Sequence, residues 1–256
     1  MKDFIVVIRS SLAGSLGLAA TLFNSVFVIL ATPFGDKVQY RFVRGWAHTC
    51  HFALRFITGI SYEVIGNEKL PQEASIVYMK HQSVWEIIIL FRIVPQLVFV
   101  LKREAMAIPI FGSALKSLKM IDIDRSSGST AVAEVIQKGT DRLKQGLWLG
   151  IFPEGTRMTF GKTRRFGKSG IYLAQEAKAP LVLIAHNGGE FWPSKSLKIR
   201  SGHVKIVISD PVQTQGRTVD EIAAECEAWM EKTMFEISSA YAQEARRFAE
   251  NQSLST

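Results

Sequence analysis

Residues 74–91 read ASIVYMKHQSVWEIIILF, and the rest of the chain is organised around them. The apolar run 74–78 predicts a buried strand and the run after Glu86 predicts a helix, so polar residues lie between two apolar elements. An α/β fold exposes such residues at the carboxyl end of its sheet. Histidine is the side chain whose ordinary pKa suits a general base near neutral pH, which makes His81 a candidate.

Glu86 follows His81 by five residues and is the candidate partner of its imidazole. A five-residue step corresponds to about 140° on a straight helix. The two side chains therefore converge only if His81 precedes the helix and Glu86 lies in its first turn. The alternative is a structural histidine near a helix start, with Glu86 favoured there by the helix dipole. The presence of His81 and Glu86 alone does not decide between a catalytic pair and a structural histidine.

Composition limits the class of protein. The chain has 256 residues, enough for one sizeable α/β domain with an appendage. Its two cysteines, Cys50 and Cys226, exclude a disulfide framework. The net charge of +8 with 47% apolar residues favours anionic lipid or an anionic substrate over nucleic acid, for which no motif is present.

A zinc site at His48, Cys50 and His51 is disfavoured, because neighbouring helical positions point apart and no second ligand cluster appears. We expect no metal.

The N-terminal part, residues 1–58, is predicted to anchor the protein to a membrane. Residues 10–35 carry no charge, a run of 26 that is long enough to span a bilayer as a helix. Its polar and glycine residues leave open whether it spans, lies in one leaflet or is a buried soluble helix. Residues 38–57 continue as a helix whose aromatic and arginine side chains suit a membrane interface.

Residues 59–243 are predicted to form the α/β domain, followed by a polar, frayed tail at 244–256. Short apolar runs predict strands at 60–65, 74–78, 96–101, 120–125, 147–152, 180–185 and 204–209. The run 147–152 has no polar residue, as expected of a central strand covered on both faces. Thr218 and Glu221 form a capping-box pattern that starts a terminal helix. His186, at the end of a strand, is interpreted as a structural histidine.

A second polar crossing follows the central strand and reads FPEGTR at 152–157. Gly155 allows a tight turn, and Arg157 offers a planar fork that can hold a phosphate. An ion pair between Glu154 and Arg157 is the structural alternative. The basic loop 162–168 adds four positive charges, which could equally be a solvated surface or attract anionic lipid.

Taken in order, these motifs resemble those of the glycerolipid acyltransferases, and most of all the bacterial 1-acyl-sn-glycerol-3-phosphate acyltransferases of the PlsC-like family. The resemblance covers residues 60–212. The family's first motif is His-x4-Asp, here in the variant that ends in Glu86. The motif Phe-Pro-Glu-Gly-x-Arg corresponds to 152–157, and Phe166, Lys168 and Gly170 match the element that follows it.

The resemblance implies a mixed α/β sheet flanked by helices, with an N-terminal helical membrane-associated motif. It implies transfer of a fatty acyl group from acyl carrier protein or coenzyme A to the sn-2 hydroxyl of lysophosphatidic acid. His81 would be the base and Glu86 its partner. The implied phosphate-binding residues are Glu154, Gly155, Thr156, Arg157, Lys102 and Arg103. The implied location is the cytoplasmic face of a bacterial inner membrane, and no cofactor is implied.

Two other functions fit the same residues. The acceptor could be another lyso-lipid, such as lyso-ornithine lipid or a lysophospholipid. Less favoured is a non-catalytic membrane protein whose positive face binds anionic lipid. The chemistry itself is consistent with the residues: attack by a hydroxyl on a thioester needs a base, and no nucleophile elbow surrounds Ser83.

Overall fold

The computed structural model describes residues 2–124 and 127–253, and within them seven strands form one sheet. The strands are β1 (Ile60–Ile65), β2 (Ile76–Met79), β3 (Leu97–Lys102), β4 (Ile121–Ile123), β5 (Trp148–Ile151), β6 (Leu181–His186) and β7 (Gly202–Ile208). Their order is β1-β7-β6-β2-β5-β3-β4. Neighbours are parallel except β6 and β7, so the predicted mixed sheet is confirmed.

The helices are α1 (Lys2–Leu30), α2 (Asp36–Ala53), α3 (Trp85–Ile93), α4 (Phe111–Ser117), α5 (Ser129–Lys144), α6 (Ser169–Ala177), α7 (Gly188–Phe191), α8 (Val219–Ile237) and α9 (Ser239–Ser253). Every residue of β2, β5 and β6 is buried, because helices cover both faces of the sheet. Helices α1–α4 pack together on one face, and α5, α6 and α8 lie on the other.

The centre of the sheet brings the two polar crossings together. Strand β2 lies between β5 and β6, so the loops that leave their carboxyl ends are neighbours. The backbone N–H of Met158 donates to the carbonyl of His81 at 2.7 Å. Residues 152–158 and the His81 loop, far apart in sequence, therefore form one polar surface at one edge of the sheet.

Helix α1 is long and apolar enough over Asp3–Leu30 to cross a membrane, judged by length and composition. It also contacts the rest of the protein along its length. The backbone N–H of Ile199 donates to Ser10 Oγ at 2.8 Å, and Gln39 Nε2 donates to the carbonyl of Val28 at 3.1 Å. Its outer side exposes large apolar side chains, including Phe4 and Phe23.

Helix α2 ends in a π-helical turn, Leu54–Thr58, which Gly59 closes with φ +82°. Over residues 244–253 the C-terminal segment differs from the frayed tail expected at 244–256, because α9 remains helical to Ser253, and residues 254–256 lie outside the described part of the chain. Tyr241 is buried, and Lys162 lies 4.3 Å above the ring of Phe248. These contacts with the loop after β5 hold α9 in place, although its polar sequence does not predict a packed helix.

Candidate active site

The side chains of His81 and Glu86 are in contact, and their positions meet the geometric condition set by their five-residue spacing. His81 lies in the loop before α3 and Glu86 is the second residue of that helix. Nδ1 of His81 is 2.6 Å from Oε1 of Glu86. Because a carboxylate accepts, Nδ1 carries the hydrogen, and the lone pair of the ring is on Nε2.

Glu86 is fully buried at the start of α3. Its Oε1 also accepts the backbone N–H groups of Gln82 (3.2 Å) and Ser83 (3.1 Å). Burial raises the pKa of Glu86 to about 7, although the Ser83 amide acts in the opposite direction. The carboxylate is thus fixed in place by backbone donors and can orient the His81 ring, which also stacks on Phe152 at 3.9 Å.

His186 is a neutral structural histidine beneath this pair. Its Nε2–H donates to the carbonyl of Lys80 at 2.9 Å, and its Nδ1 accepts the backbone N–H of Gly188 at 3.0 Å. Burial lowers the pKa of His186. Both ring nitrogens are engaged inside the protein, so His186 supports the His81 loop and does not line the cavity described below.

Glu154, one of the predicted phosphate-binding residues, supports the same loop from the other side. The carboxylate is buried, with Oε1 2.9 Å from Lys80 Nζ, and Oε2 accepts the backbone N–H of His81 at 2.9 Å. It does not line the cavity, and a buried carboxylate would repel a phosphate. The alternative ion pair with Arg157 is wrong too, because Glu154 pairs with Lys80.

Lys80 extends this support to the C-terminal helices. Its side chain is 1% exposed. Nζ lies 3.7 Å from Glu231 Oε2 in α8 and 5.5 Å from the ring centroid of Tyr241 in α9. The Tyr241 hydroxyl donates to Glu231 at 2.9 Å. A buried charge needs such partners, and here they join the His81 loop to α8 and α9.

A cavity of about 930 Å³ opens beside His81. His81 and Phe152 line one part of it together with five polar or cationic residues, Lys102, Thr156, Arg157, Ser194 and Lys195. The other part is largely apolar and is lined mainly by α1, α2, α3 and α4, with Thr21, Asn24 and Ser25 of α1 as its polar residues. Its lining there includes Ala13, Leu18, Val28, Val43, Trp46, Ile88, Phe91, Phe99, Leu115, Leu118 and Met120. Lys102, Arg157 and Lys195 thus give the cavity a cationic mouth that includes His81, and helices α1–α4 give it a largely apolar interior.

The structure divides the remaining predicted phosphate ligands. Arg157, Thr156 and Lys102 line the mouth of the cavity. Gly155 does not line it; its φ of +69° makes the turn that carries Thr156 and Arg157. Arg103 is directed elsewhere, because Nε lies 3.3 Å from Asp122 and a terminal nitrogen 3.7 Å from Glu134. Arg103, also predicted to bind the phosphate, does not line the cavity.

Two contributors were missed by the sequence reasoning. Lys195 lines the mouth of the cavity, and Lys80 is the buried partner of Glu154. A basic residue in the loop after the His186 strand was a signal for Lys195. No local signal pointed to Lys80, whose partner is distant in the sequence.

The element Phe166-Gly167-Lys168-Ser169-Gly170 is structural in this fold. The ring of Phe166 is buried against Tyr78, and Lys168 pairs with Asp220 of α8. A Cβ on Gly170 would meet the Tyr78 ring at 2.3 Å, so only glycine fits at the start of α6. Among residues 2–124 and 127–253, no three metal-ligating side chains come together.

Comparisons with known proteins show the family of the chain. The family model described as Acyltransferase matches residues 61–187. The chain is 38% identical over 218 residues to the 1-acyl-sn-glycerol-3-phosphate acyltransferase of Pseudomonas aeruginosa, covering 84% of each chain. It is 28% identical to the protein of that name from Saccharomyces cerevisiae, over 86% of this chain and 73% of the other.

A solved structure shares the fold. The crystal structure of the 1-acyl-sn-glycerophosphate (LPA) acyltransferase PlsC from Thermotoga maritima matches with a TM-score of 0.77 at 20% identity, over 93% of this chain and 100% of the other. At that identity the match speaks for the fold alone. On the sequence relatives together with the shared fold, the chain belongs to the acyltransferase family.

Proposed function

We propose that this acyltransferase moves a fatty acyl group from an acyl carrier protein or coenzyme A thioester to the sn-2 hydroxyl of 1-acyl-glycerol-3-phosphate. The product is phosphatidic acid, for phospholipid biosynthesis. The observation that carries the proposal is that His81 lines one cavity together with Arg157, Lys102, Lys195 and many apolar side chains. An acceptor with a phosphate, a free hydroxyl and an acyl chain matches these cationic, basic and apolar groups.

The proposed step is direct transfer. Nε2 of His81 takes the proton of the acceptor hydroxyl as its oxygen attacks the thioester carbonyl. The new C–O bond forms, the C–S bond breaks, and the imidazolium returns the proton to the leaving thiolate. Glu86 accepts the Nδ1–H throughout and stabilises the imidazolium, the role of the aspartate in a serine hydrolase triad. A thioester supplies its own leaving group, so no covalent enzyme intermediate is needed and no cofactor takes part.

Arg157 is the proposed principal ligand of the acceptor's phosphate. Its guanidinium can give two parallel hydrogen bonds to phosphate oxygens, and Thr156, Lys102 and Lys195 line the same mouth. This density of positive charge favours a phosphate-bearing acceptor over lyso-ornithine lipid, which has none. Glu154, with Lys80, is proposed to hold the backbone of His81.

The apolar interior is proposed to hold an acyl chain. The cavity volume of about 930 Å³ lies near the upper end of the range of roughly 300–1,000 Å³ typical of small-molecule sites. Gly14 and Gly17 of α1 line it with no atom near their missing Cβ positions. The helix that forms the membrane-associated motif therefore also forms a wall of the proposed lipid site.

Location follows from the same helix. Membrane association agrees with the apolar, outward side of α1 and with the lipid acyltransferase relatives. We place the protein at the cytoplasmic face of a bacterial inner membrane, where acyl carrier protein and coenzyme A thioesters are available. Helix α1 would lie within one leaflet. Membrane lipids and the thioester carrier are the proposed partners, and nucleic acid is not among them.

The experiment that tests the function measures labelled acyl transfer in membranes bearing wild-type protein or His81→Ala. Lysophosphatidic acid, a lysophospholipid and lyso-ornithine lipid are the acceptors, each with an acyl carrier protein and a coenzyme A donor. We expect phosphatidic acid from the wild type and a loss of about a thousandfold in the variant, the effect of removing a catalytic base. Product from lyso-ornithine lipid alone would move the proposal to that acceptor. Near-full activity of His81→Ala would overturn the mechanism.

A further inference from the structure

A second recess lies away from the catalytic cavity, between α2, its π-helical turn and α3. It is lined by His48, Thr49, His51, Phe52, Arg55, Phe56 and Arg92. None of these residues lines the catalytic cavity. Tyr62 of β1 lies against two of them, with its ring 4.9 Å from that of His51 and 5.6 Å from the guanidinium carbon of Arg92.

The recess has positive charge without a compensating carboxylate. Over residues 2–124 and 127–253, no ion pair includes Arg55 or Arg92. Burial and then the charges of Arg92 and Arg55 lower the pKa of His51 to about 4. The pKa of His48 is also lowered, by burial first and then by Arg92 and Arg44. Two arginines and two imidazoles thus face one space with no anion among them.

Buried polar atoms in the recess also lack partners. His51 is 7% exposed, and its Nδ1 makes no hydrogen bond. Nε of Arg92 is buried and unpaired as well. A buried polar atom without a partner costs free energy. Arg92 Nε–H is a donor, and His51 Nδ1 is one in the Nδ1–H tautomer, so an anionic oxygen bound here would supply an acceptor to both residues. This is a second observation, independent of charge, that points to an anion.

A metal cation does not fit the same space. His48 and His51 are three residues apart and share a side of α2, but Cys50 lines the catalytic cavity instead. The two arginines that face the histidines would repel a cation. The chemistry of the recess therefore selects an anion with several oxygen acceptors, for which guanidinium groups are suited.

The neighbouring aromatic residues indicate where that anion comes from. Phe52 and Phe56 line the recess, are 62% and 67% exposed, and have ring centroids 4.3 Å apart. Exposed aromatic rings beside arginines are typical of the membrane interface, at the depth of the lipid headgroups. The recess also belongs to the two-helix unit whose α1 exposes an apolar side.

We propose that this recess binds the phosphate of an anionic phospholipid that is not a substrate. Arg55 and Arg92 donate to the phosphate oxygens, His51 donates through Nδ1, and Phe52 and Phe56 enter the surrounding lipid. Arg92 belongs to α3, the helix that begins at the catalytic loop and carries Glu86. A lipid bound here therefore fixes α3, and the cavity mouth next to it, relative to the membrane surface.

The test uses the full chain in neutral detergent and a short-chain anionic lipid, dihexanoyl phosphatidylglycerol, which avoids a charged membrane surface. The ring Cε1–H NMR signals of His48 and His51, assigned with His48→Gln and His51→Gln, report on the recess. The His81 signal reports on the catalytic cavity. We expect saturable shifts of the His48 and His51 signals, with weaker binding of dihexanoyl phosphatidylcholine and of inorganic phosphate.

Matched variants separate a site from general attraction. We expect Arg55→Gln with Arg92→Gln to weaken binding about a hundredfold, since each charge-assisted hydrogen bond contributes about tenfold. Lys37→Gln with Arg41→Gln removes the same charge from exposed positions of α2 outside the recess and should change binding by less than about threefold. If the first double variant does not fold, Arg55→Gln alone, at an exposed residue, should still give about a tenfold loss.

Three outcomes of the titration would overturn the proposal: His48 and His51 shifts that do not saturate, shifts of the His81 signal alone, or equal losses of affinity in the two double variants. It would also be overturned if dihexanoyl phosphatidylcholine or inorganic phosphate bound as tightly as dihexanoyl phosphatidylglycerol. Equally tight binding of inorganic phosphate would assign the recess to free phosphate. Because the recess and the catalytic cavity share no residue, failure here leaves the proposed acyl transfer unaffected.

Discussion

The burial of Glu86, which places its carboxylate beside His81, also lowers the stability of the fold when that carboxylate is ionised. The carboxylate is fully buried, and burial raises its pKa to about 7 from an ordinary value of 4.5. The folded state therefore holds this proton more tightly than the unfolded state does. The corresponding stability is fully present below pH 4.5 and is lost as the pH rises through about 7. In the proposed mechanism, the ionised Glu86 that His81 needs as a partner is thus maintained at the expense of fold stability.

Glu86→Gln should separate these two effects. The glutamine oxygen can still accept from Ser83 and from His81 Nδ1, but it has no charge to desolvate. At pH 8 we expect the unfolding free energy to equal or exceed that of the wild type, by on the order of 1–3 kcal/mol, with the gain disappearing towards pH 4. Acyl transfer should fall by about a thousandfold. Denaturant unfolding at pH 4 and pH 8, with initial rates, makes the measurement.

A glutamine variant that is less stable than the wild type by the same amount at both pH values would contradict this account. It would mean that Glu86 acts only as a hydrogen-bond acceptor for the loop. Full activity in the variant would remove Glu86 from the mechanism altogether.

Arg157 and Arg103 provide a matched comparison of two predicted phosphate ligands. Arg157 lines the cavity mouth, whereas Arg103 lies near Asp122 and Glu134. We expect Arg157→Gln to raise the KM for lysophosphatidic acid by about 10- to 100-fold with a smaller change in kcat, since hydrogen bonds to charged groups contribute about 1.5–3 kcal/mol. Arg103→Gln should leave KM within about twofold. A change in kcat alone for Arg157→Gln would place this arginine at the transition state instead.

At the scale of elements, local patterns predicted every strand of the sheet and the order of the motifs. Apolar runs bounded by turn residues are set by neighbours in the sequence, so β2 and β5 were readable without a structure. Contacts between residues that are far apart in the sequence could not be predicted in this way. Glu154 meets the His81 amide 73 residues away. The family resemblance therefore implies one shared role for Glu154–Arg157, whereas in the fold Glu154 contacts the His81 loop and Thr156 and Arg157 line the cavity.

Helix α9 shows the same limit. Its composition is polar and its pattern indicates a tail, yet Tyr241 is buried and bonded to Glu231. Lys102 and Arg103 are adjacent in sequence, but the strand ends between them and their side chains take different partners. Such a divergence depends on where β3 ends, which the apolar run did not define to the residue.

Helix α1 has an element-scale prediction of its own, because it forms a wall of the cavity. Gly17 lines the cavity and a Cβ added there would meet no atom within 4 Å, so Gly17→Leu adds side-chain volume from this wall. We expect the preference among acyl chains to shift to shorter ones by about tenfold in kcat/KM, since added volume in a filled site costs on the order of 1–3 kcal/mol. Varying the chain of donor and acceptor separately shows which one lies there.

Gly45→Leu is the control for this variant. Gly45 lies in α2, has open space around it and does not line the cavity. Both changes favour a helix by about 1 kcal/mol, so stability gains cancel in the comparison. An equal shift of chain preference in both variants, or none in Gly17→Leu, would mean that the cavity does not hold the selected chain.

For the whole molecule, the course of α1 decides how the enzyme lies on its membrane. The helix is about 43 Å long at 29 residues, long enough to span. Its contacts with the rest of the protein, however, indicate that it does not span. Near one end, Lys198 lies 3.7 Å from Asp3 and Ile199 bonds Ser10; near the other, Gln39 of α2 bonds Val28. Helix α2 is itself tied to the sheet, because the Tyr40 hydroxyl donates to the carbonyl of Leu97 at 2.7 Å.

A spanning α1 would have to carry one of its ends across the bilayer, away from the domain that both ends contact. We therefore expect Asp3→Cys and Lys198→Cys, placed singly, to react with a membrane-impermeant maleimide from the same side of the membrane. Inside-out and right-side-out vesicles give the two sides, and detergent-solubilised protein gives full labelling. The native Cys50 and Cys226 are buried, so unmodified protein is the background control. Labelling of position 3 from one side and position 198 from the other would mean that α1 leaves the domain and spans. Labelling of both from the cytoplasmic side would put the apolar face of α1, the cavity mouth and the acyl carrier on one surface, so that a lipid acceptor could reach His81 without leaving its leaflet.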